Sequence, residues 1–209
     1  RVPRGESIVW PGSRCTGCGR DLAWYENVPV LSWLLLRGNC RTCGAASSWM
    51  YPLVELTTAL LFAAGAWVYG PSGLLAVRLV FGCALIVLFA IDLRHRILPN
   101  VITLPGIVAG FIASCVLSPG WLSSLIGIVA GGGMLFGIAE VYYRVRGQEG
   151  LGMGDVKMLA MIGAFLGWPL MLLTLAIASF VGSLVGIALV VSGRGGMQAA
   201  LPFGTFLAL

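Results

Sequence analysis

Apolar residues arrive in long runs, separated by short breaks. After a polar stretch over residues 1–51, the runs extend from Leu53 to Tyr69, Leu74 to Leu93, Val101 to Leu117, Trp121 to Tyr143, Val156 to Trp168 and Leu170 to Ser192, and a last one starts at Leu201. The breaks are Gly70-Pro71, Leu98-Pro99-Asn100, Pro119-Gly120, the loop from Gly147 to Gly154, Gly167-Trp168-Pro169 and Gly193 to Gly196, all rich in residues that punctuate helices. Most runs reach the roughly 17–25 residues that a tilted membrane helix needs. Val156 to Trp168 does not: at about 1.5 Å per residue it covers only about 20 Å, so it is a half-span or a helix that starts deep in the protein. The pattern predicts an all-α polytopic membrane protein over residues 52–209, preceded by a small polar segment over 1–51.

Composition agrees. Hydrophobic residues make up 58% of the 209 and charged ones only 10%, which excludes an ordinary soluble domain. The 30 glycines and 7 tryptophans suit close helix packing and interfacial anchoring. A net charge of +5 could point to nucleic acid, but the basic residues fall in loops instead of clustering on one element, so no nucleic-acid partner is expected. Basic loops (1–51, Arg94/Arg96, Arg144/Arg146 with Lys157 just beyond, and Arg194) alternate strictly with non-basic ones (70–73, 118–120 and the turn around Gly167). By the positive-inside rule the first set is cytoplasmic. Arg78 is the exception, read as snorkelling outward. Arg1 in place of Met, and Leu209 inside an apolar stretch, read as a chain cut at both ends.

On this topology two carboxylates stand out. Asp92 closes the second run and Asp155 opens the fifth, in Gly152-Met153-Gly154-Asp155, so both land on the cytoplasmic side. A carboxylate near membrane depth is expensive and marks a functional site, and each is the natural partner of the other. Two acids sharing a proton can activate a water for peptide hydrolysis, because like charges a few ångströms apart do not both ionise. The plainer alternative is that each marks a helix end at the interface. Gly152 and Gly154, lacking a Cβ, allow close backbone approach. Lys157 lies two residues from Asp155, off its helical face, and reads first as an interface anchor and second as a site residue.

The polar segment carries its own chemistry. Cys15-Thr16-Gly17-Cys18-Gly19 and Cys40-Arg41-Thr42-Cys43-Gly44 are two C-x-x-C-G turns separated by 21 residues. Each directs two thiolates at one ion, and the glycine tolerates left-handed backbone. Together Cys15, Cys18, Cys40 and Cys43 make a tetrahedral zinc site, with a thiol redox relay as the alternative. A reducing cytoplasmic side argues against structural disulfides. Cys83 and Cys115 read as packing residues. His95 is the sole histidine, which excludes an H-E-x-x-H metalloprotease and any His-based triad; it reads as a solvated loop residue. Glu55 and Glu140, near cytoplasmic helix ends, read as snorkelling.

Several segments resemble bacterial type IV prepilin peptidases, a family of GxGD aspartic proteases. They are Arg1-Val2-Pro3-Arg4-Gly5-Glu6-Ser7-Ile8, Trp24 to Trp33, Leu36 to Arg41, Tyr51 to Leu56, the aspartate followed by Ile97-Leu98-Pro99, Gly150 to Lys157, and Leu201-Pro202-Phe203-Gly204. The resemblance implies an eight-helix, GxGD-type bundle of the bacterial inner membrane with a cytoplasmic active site. Asp92 and Asp155 would be catalytic, with Pro99, Gly152, Gly154 and Lys157 supporting them. It implies prepilin and pseudopilin substrates, cut after a glycine that ends a short basic leader. It also implies N-methylation of the new terminus with S-adenosylmethionine, since the four-cysteine segment is typical of bifunctional members. Glu26, Asn27 and Arg37 are candidates for the methyl-donor site, or else order the loops of a small zinc domain. Asn100 and Thr205 depart from the family pattern, where an aspartate and a proline are frequent. A zinc-anchored membrane scaffold without enzymatic activity and a membrane thiol oxidoreductase are the rival readings.

Overall fold

The computed structural model describes residues 12–148, 150–192 and 202–209. Arg1 to Ile8, the Gly193 to Gly196 loop with Arg194, and Leu201 lie outside the described residues. The described residues form helices and turns with two isolated bridges and no extended strand, as the runs predict. By internal contacts the chain divides into two compact units, Arg1–Gly70 and Pro71–Leu209. That boundary falls one helix later than the change in polarity near residue 51.

In the first unit each C-x-x-C turn closes a miniature hairpin. Cys15 N–H donates to the Arg20 carbonyl and Gly19 N–H to the Cys15 carbonyl, both at 2.9 Å; Cys40 with Ala45 and Gly44 with Cys40 repeat the pattern at 2.8 and 2.9 Å. Gly19 and Gly44 adopt φ of 71° and 68°, the left-handed conformation expected of them. Between the turns lie a 3-10 turn, Trp24–Asn27, and a short helix α1, Leu31–Leu35. Helix α2, Met50–Tyr69, follows. Glu55 on α2 accepts the Val30 N–H at 2.7 Å, so its carboxylate ties the start of α1 instead of snorkelling. None of α2's residues is buried.

The second unit holds α3 (Gly73–His95), α4 (Asn100–Ser114), α5 (Trp121–Arg146), α6 (Met153–Val191) and α7 (Phe203–Leu207). Helices α2, α3, α5 and α6 are long and apolar enough to cross a membrane. Helix α6 is the hub, packing most extensively on α5 and then on α4 and α7. Its first half is apolar on every face because every face is covered: Met158, Leu159, Met161 and Ile162 are fully buried, with Phe165 close behind. Here the short run Val156 to Trp168 proves to be the core of the unit, a helix that begins inside protein. Where α5 crosses α6, Gly127 and Gly163 meet backbone to backbone, and a methyl group on either would collide with the other.

Helix α6 breaks at Gly167, whose φ of 77° and ψ of 171° are not helical. Pro169 has no N–H, so the Phe165 carbonyl four residues earlier has no helical donor. Arg78 of α3 supplies one at 2.7 Å. Ser114 of α4 and Ser124 of α5 donate to the adjacent Ala164 carbonyl at 2.9 and 2.8 Å. Arg78 therefore turns inward to cap a broken helix and does not snorkel. Three helices satisfy the backbone groups that the break releases, as an apolar surrounding demands.

Candidate functional site

Asp92 lies in the last turn of α3. The helix stops four residues on, at Arg96, which adopts φ 52° and ψ 40° while its N–H donates to the Asp92 carbonyl at 2.8 Å. Helical conformation is disfavoured before Pro99, and residues 96–99 link α3 to α4 without helix. Asp155 lies in the first turn of α6, where its N–H bonds the Gly152 carbonyl at 3.1 Å. The two side chains come from helix ends far apart in sequence and are brought together by α7. A Cβ built on Gly204 would lie 2.9 Å from Asp92 Oδ2 and 3.2 Å from Asp155 Oδ1, so the two carboxylates can be no further apart than the sum of those distances. Helix α7 thus packs against both acids, and its closest approach is at Gly204, where no side chain intervenes.

Asp92 is only 4% exposed, and its Oδ2 is buried without a hydrogen-bond partner. A buried acceptor left open costs free energy, roughly 1–3 kcal/mol, and persists where a proton, water or substrate group fills it during function. A cavity of about 240 Å³ opens beside it, lined by both aspartates, Arg96, Ile97, Leu98, Gly152 and Gly154. Leu98 explains two of the glycines. Its side chain would lie 2.8 Å from a Cβ on Gly154 and 2.9 Å from one on Gly204, so any larger residue at either position would push this wall of the cavity.

Lys157 does not reach the acids. Its Nζ donates to Asn100 Oδ1 at 2.9 Å and pins the first residue of α4 to the second turn of α6. Pro99, the N-cap of α4, presents its carbonyl to the Ile102 and Thr103 amides. His95 is exposed at the end of α3, and Glu140 pairs with Arg144 at 2.7 Å one turn away. Sequence reasoning missed the place of α7 against both acids, the role of Leu98 and the place of Arg96 in the cavity wall. The Ile97-Leu98-Pro99 and Pro202-Phe203-Gly204 strings were their only signal.

In the first unit Cys15, Cys18, Cys40 and Cys43 come together, with all four sulfurs within 4.8 Å of one another. Cys15 and Cys43 Sγ are 3.7 Å apart. Four Zn–S bonds of about 2.3 Å in a tetrahedron require S···S separations of about 3.8 Å, so the set fits zinc. The Cys43 and Thr42 amides, with the Cys15 side chain, pull the Cys40 thiol down to about 6. The Ala45 amide favours a Cys43 thiolate as well, but the Cys40 and Cys15 sulfurs and burial outweigh it and push Cys43 up to about 11. Four crowded sulfurs cannot all ionise without a cation among them. Of the methyl-donor candidates, Asn27 and Arg37 are exposed. Glu26 has a side chain only 3% exposed and gives both carboxylate oxygens to Arg20 Nη2, at 2.8 and 2.9 Å.

Fold and site define a helical membrane protein with paired aspartates in one cavity and a separate four-cysteine segment that can hold a metal. Residues 79–187 match the model of the type IV leader peptidase family and residues 1–69 that of the bacterial peptidase A24 N-terminal domain. The chain belongs to the type IV leader peptidase family. It is similar to three proteins, each named prepilin leader peptidase/N-methyltransferase. The one from Myxococcus xanthus is 46% identical over 94% of this chain and 59% of its own length. Those from Pseudomonas putida and Burkholderia pseudomallei are 40% and 39% identical over 97% and 99% of this chain, covering 70% and 67% of their own lengths. No solved structure matches the chain.

Proposed function

We propose that the chain carries the peptidase of a prepilin leader peptidase/N-methyltransferase, cutting the basic leader from prepilins or pseudopilins after a glycine. The observation that carries this reading is the convergence of Asp92 and Asp155 on Gly204, beside a cavity with an open carboxylate oxygen. The two acids share one proton and hold a water between them. One carboxylate takes a proton from that water as it attacks the scissile carbonyl, and the other acid donates to the developing oxyanion. The pair titrates as a unit, so neither aspartate has a fixed role as base. The bare backbone at Gly204 lets α7 approach both carboxylates at once.

The basic loops that flank both aspartates support a site on the cytoplasmic side of the bacterial inner membrane. There a substrate whose apolar helix starts just beyond the cut could lie in the bilayer. The same polypeptide would then methylate the new N-terminus from S-adenosylmethionine, using the first unit. In that unit Cys15, Cys18, Cys40 and Cys43 would hold zinc, which cross-links the two turns and supplies folding free energy. Glu26, Asn27 and Arg37 remain its candidate donor-site residues. The test is full-length protein in detergent with a prepilin, and mass analysis of the product with and without S-adenosylmethionine. The reading requires a leader-sized loss in both and a methyl mass only with the donor. An uncut prepilin refutes the peptidase assignment.

A further inference from the structure

Arg20 occupies an unusual position in the first unit. Its carbonyl accepts the Cys15 N–H at 2.9 Å and so closes the first cysteine turn. Its guanidinium reaches the other way, to both oxygens of the nearly buried Glu26. Glu26 Oε2 also accepts the Ala23 N–H at 2.9 Å, which fixes the 3-10 turn Trp24–Asn27. The guanidinium Nε is buried without a hydrogen-bond partner, and Glu26 first, with Cys40 further on, favours the charged guanidinium. A thiolate sulfur is a good acceptor for such an N–H, and metal ligands are characteristically oriented by partners of this kind. The second cysteine turn has Ala45 where the first has Arg20, so this tether exists on one side only.

We propose that Arg20 is a positioning residue that couples the four-cysteine metal site to the Glu26 turn. With the metal in place, the first cysteine turn holds the Arg20 backbone, and Arg20 holds Glu26, Tyr25 and Asn27 in register. Loss of the metal frees that turn, and loss of the Arg20–Glu26 pair loosens the metal. Arginine serves the carboxylate through Nη2 and still has the buried Nε–H to offer a thiolate, a second donor position that the lysine point charge lacks. The coupling rests on the metal reading above and is independent of whether methylation occurs.

The test uses full-length protein in detergent as wild type, R20K, R20Q, E26Q and the R20Q/E26Q double variant. Bound zinc is measured by metal analysis, and its release is followed with a chromogenic chelator. R20Q and E26Q should each release zinc about tenfold faster than wild type, the size expected for loss of an outer-sphere partner. The double variant should be no faster than either single one, because all remove the same link. R20K should fall between wild type and R20Q, and it decides the matter if R20Q does not fold. Release at the wild-type rate from zinc-loaded R20K and R20Q, or additive effects in the double variant, would overturn the coupling alone. Wild-type protein purified without zinc would overturn the metal reading and the coupling with it.

Discussion

Each cysteine pair is closed by its own six-residue turn, and the two turns lie in one unit of some seventy residues. Asp92 and Asp155 instead come from the end of one helix and the start of another, and a third element, α7, sets the distance between them. Each half of the first site is made by local chain geometry, whereas the second site is made by helix packing. A locally closed site fails when its ligands are removed. A packed site also fails when a neighbour grows by one methyl group, even though no reacting atom is touched. Damage to one unit should also leave the chemistry of the other intact.

The sharpest break in that contrast is at the acids. Asp92→Asn and Asp155→Asn should each lower leader cleavage by at least about 10²–10⁴-fold while leaving the protein inserted, the range expected for loss of a general acid or base. Near-normal turnover by either variant in a gel-shift assay with a prepilin would sink the dyad. On a substrate cut beforehand, Asp155→Asn should still permit methylation. Replacing Cys40 and Cys43 with serine should do the reverse, abolishing metal binding and methyl transfer and changing cleavage by no more than a few fold; metal analysis and product mass check this. If both kinds of variant lost both activities in parallel, the two-site picture would be wrong.

A smaller effect sharpens the role of packing. Gly204→Ala places a Cβ against Asp92 Oδ2 and Leu98, and overpacking of this kind costs about 1–3 kcal/mol. Roughly tenfold slower cleavage at unchanged zinc content is expected, measured on the same prepilin. The smallest effect is one of pH. Arg20 and then the Ala23 amide hold the Glu26 carboxylate below its ordinary range, so the folded state favours its charged form. That contribution is complete above the ordinary glutamate value of about 4.3 and is lost as pH falls through the lower folded-state value. Tryptophan fluorescence of the first unit should therefore show wild type losing stability relative to Glu26→Gln over that acid range only.

Legibility followed the same division. Both cysteine turns could be read from spacing, because a C-x-x-C-G string dictates its own backbone and left-handed glycine. The helices could be read from apolar runs, and the pairing of Asp92 with Asp155 from topology. What could not be read was which atoms meet across helices. Arg78 looked like a snorkelling residue because nothing local ties it to the carbonyl released by Pro169. Glu55 looked interfacial for the same reason, and its partner Val30 lies 25 residues away. Leu98 gave no sign that it presses on two glycines from different elements.

The place of α7 in the chain has a consequence in time as well as in space. Ribosomes deliver both aspartates to the membrane before Gly204 and Thr205 exist, roughly fifty residues after Asp155. At about 5–20 residues per second that interval lasts several seconds. Throughout it the nascent protein has both acids without the helix that packs against them. On the proposed reading, cleavage would therefore wait for α7, and a ribosome stalled before Pro202 should leave an inserted chain that does not cut a prepilin.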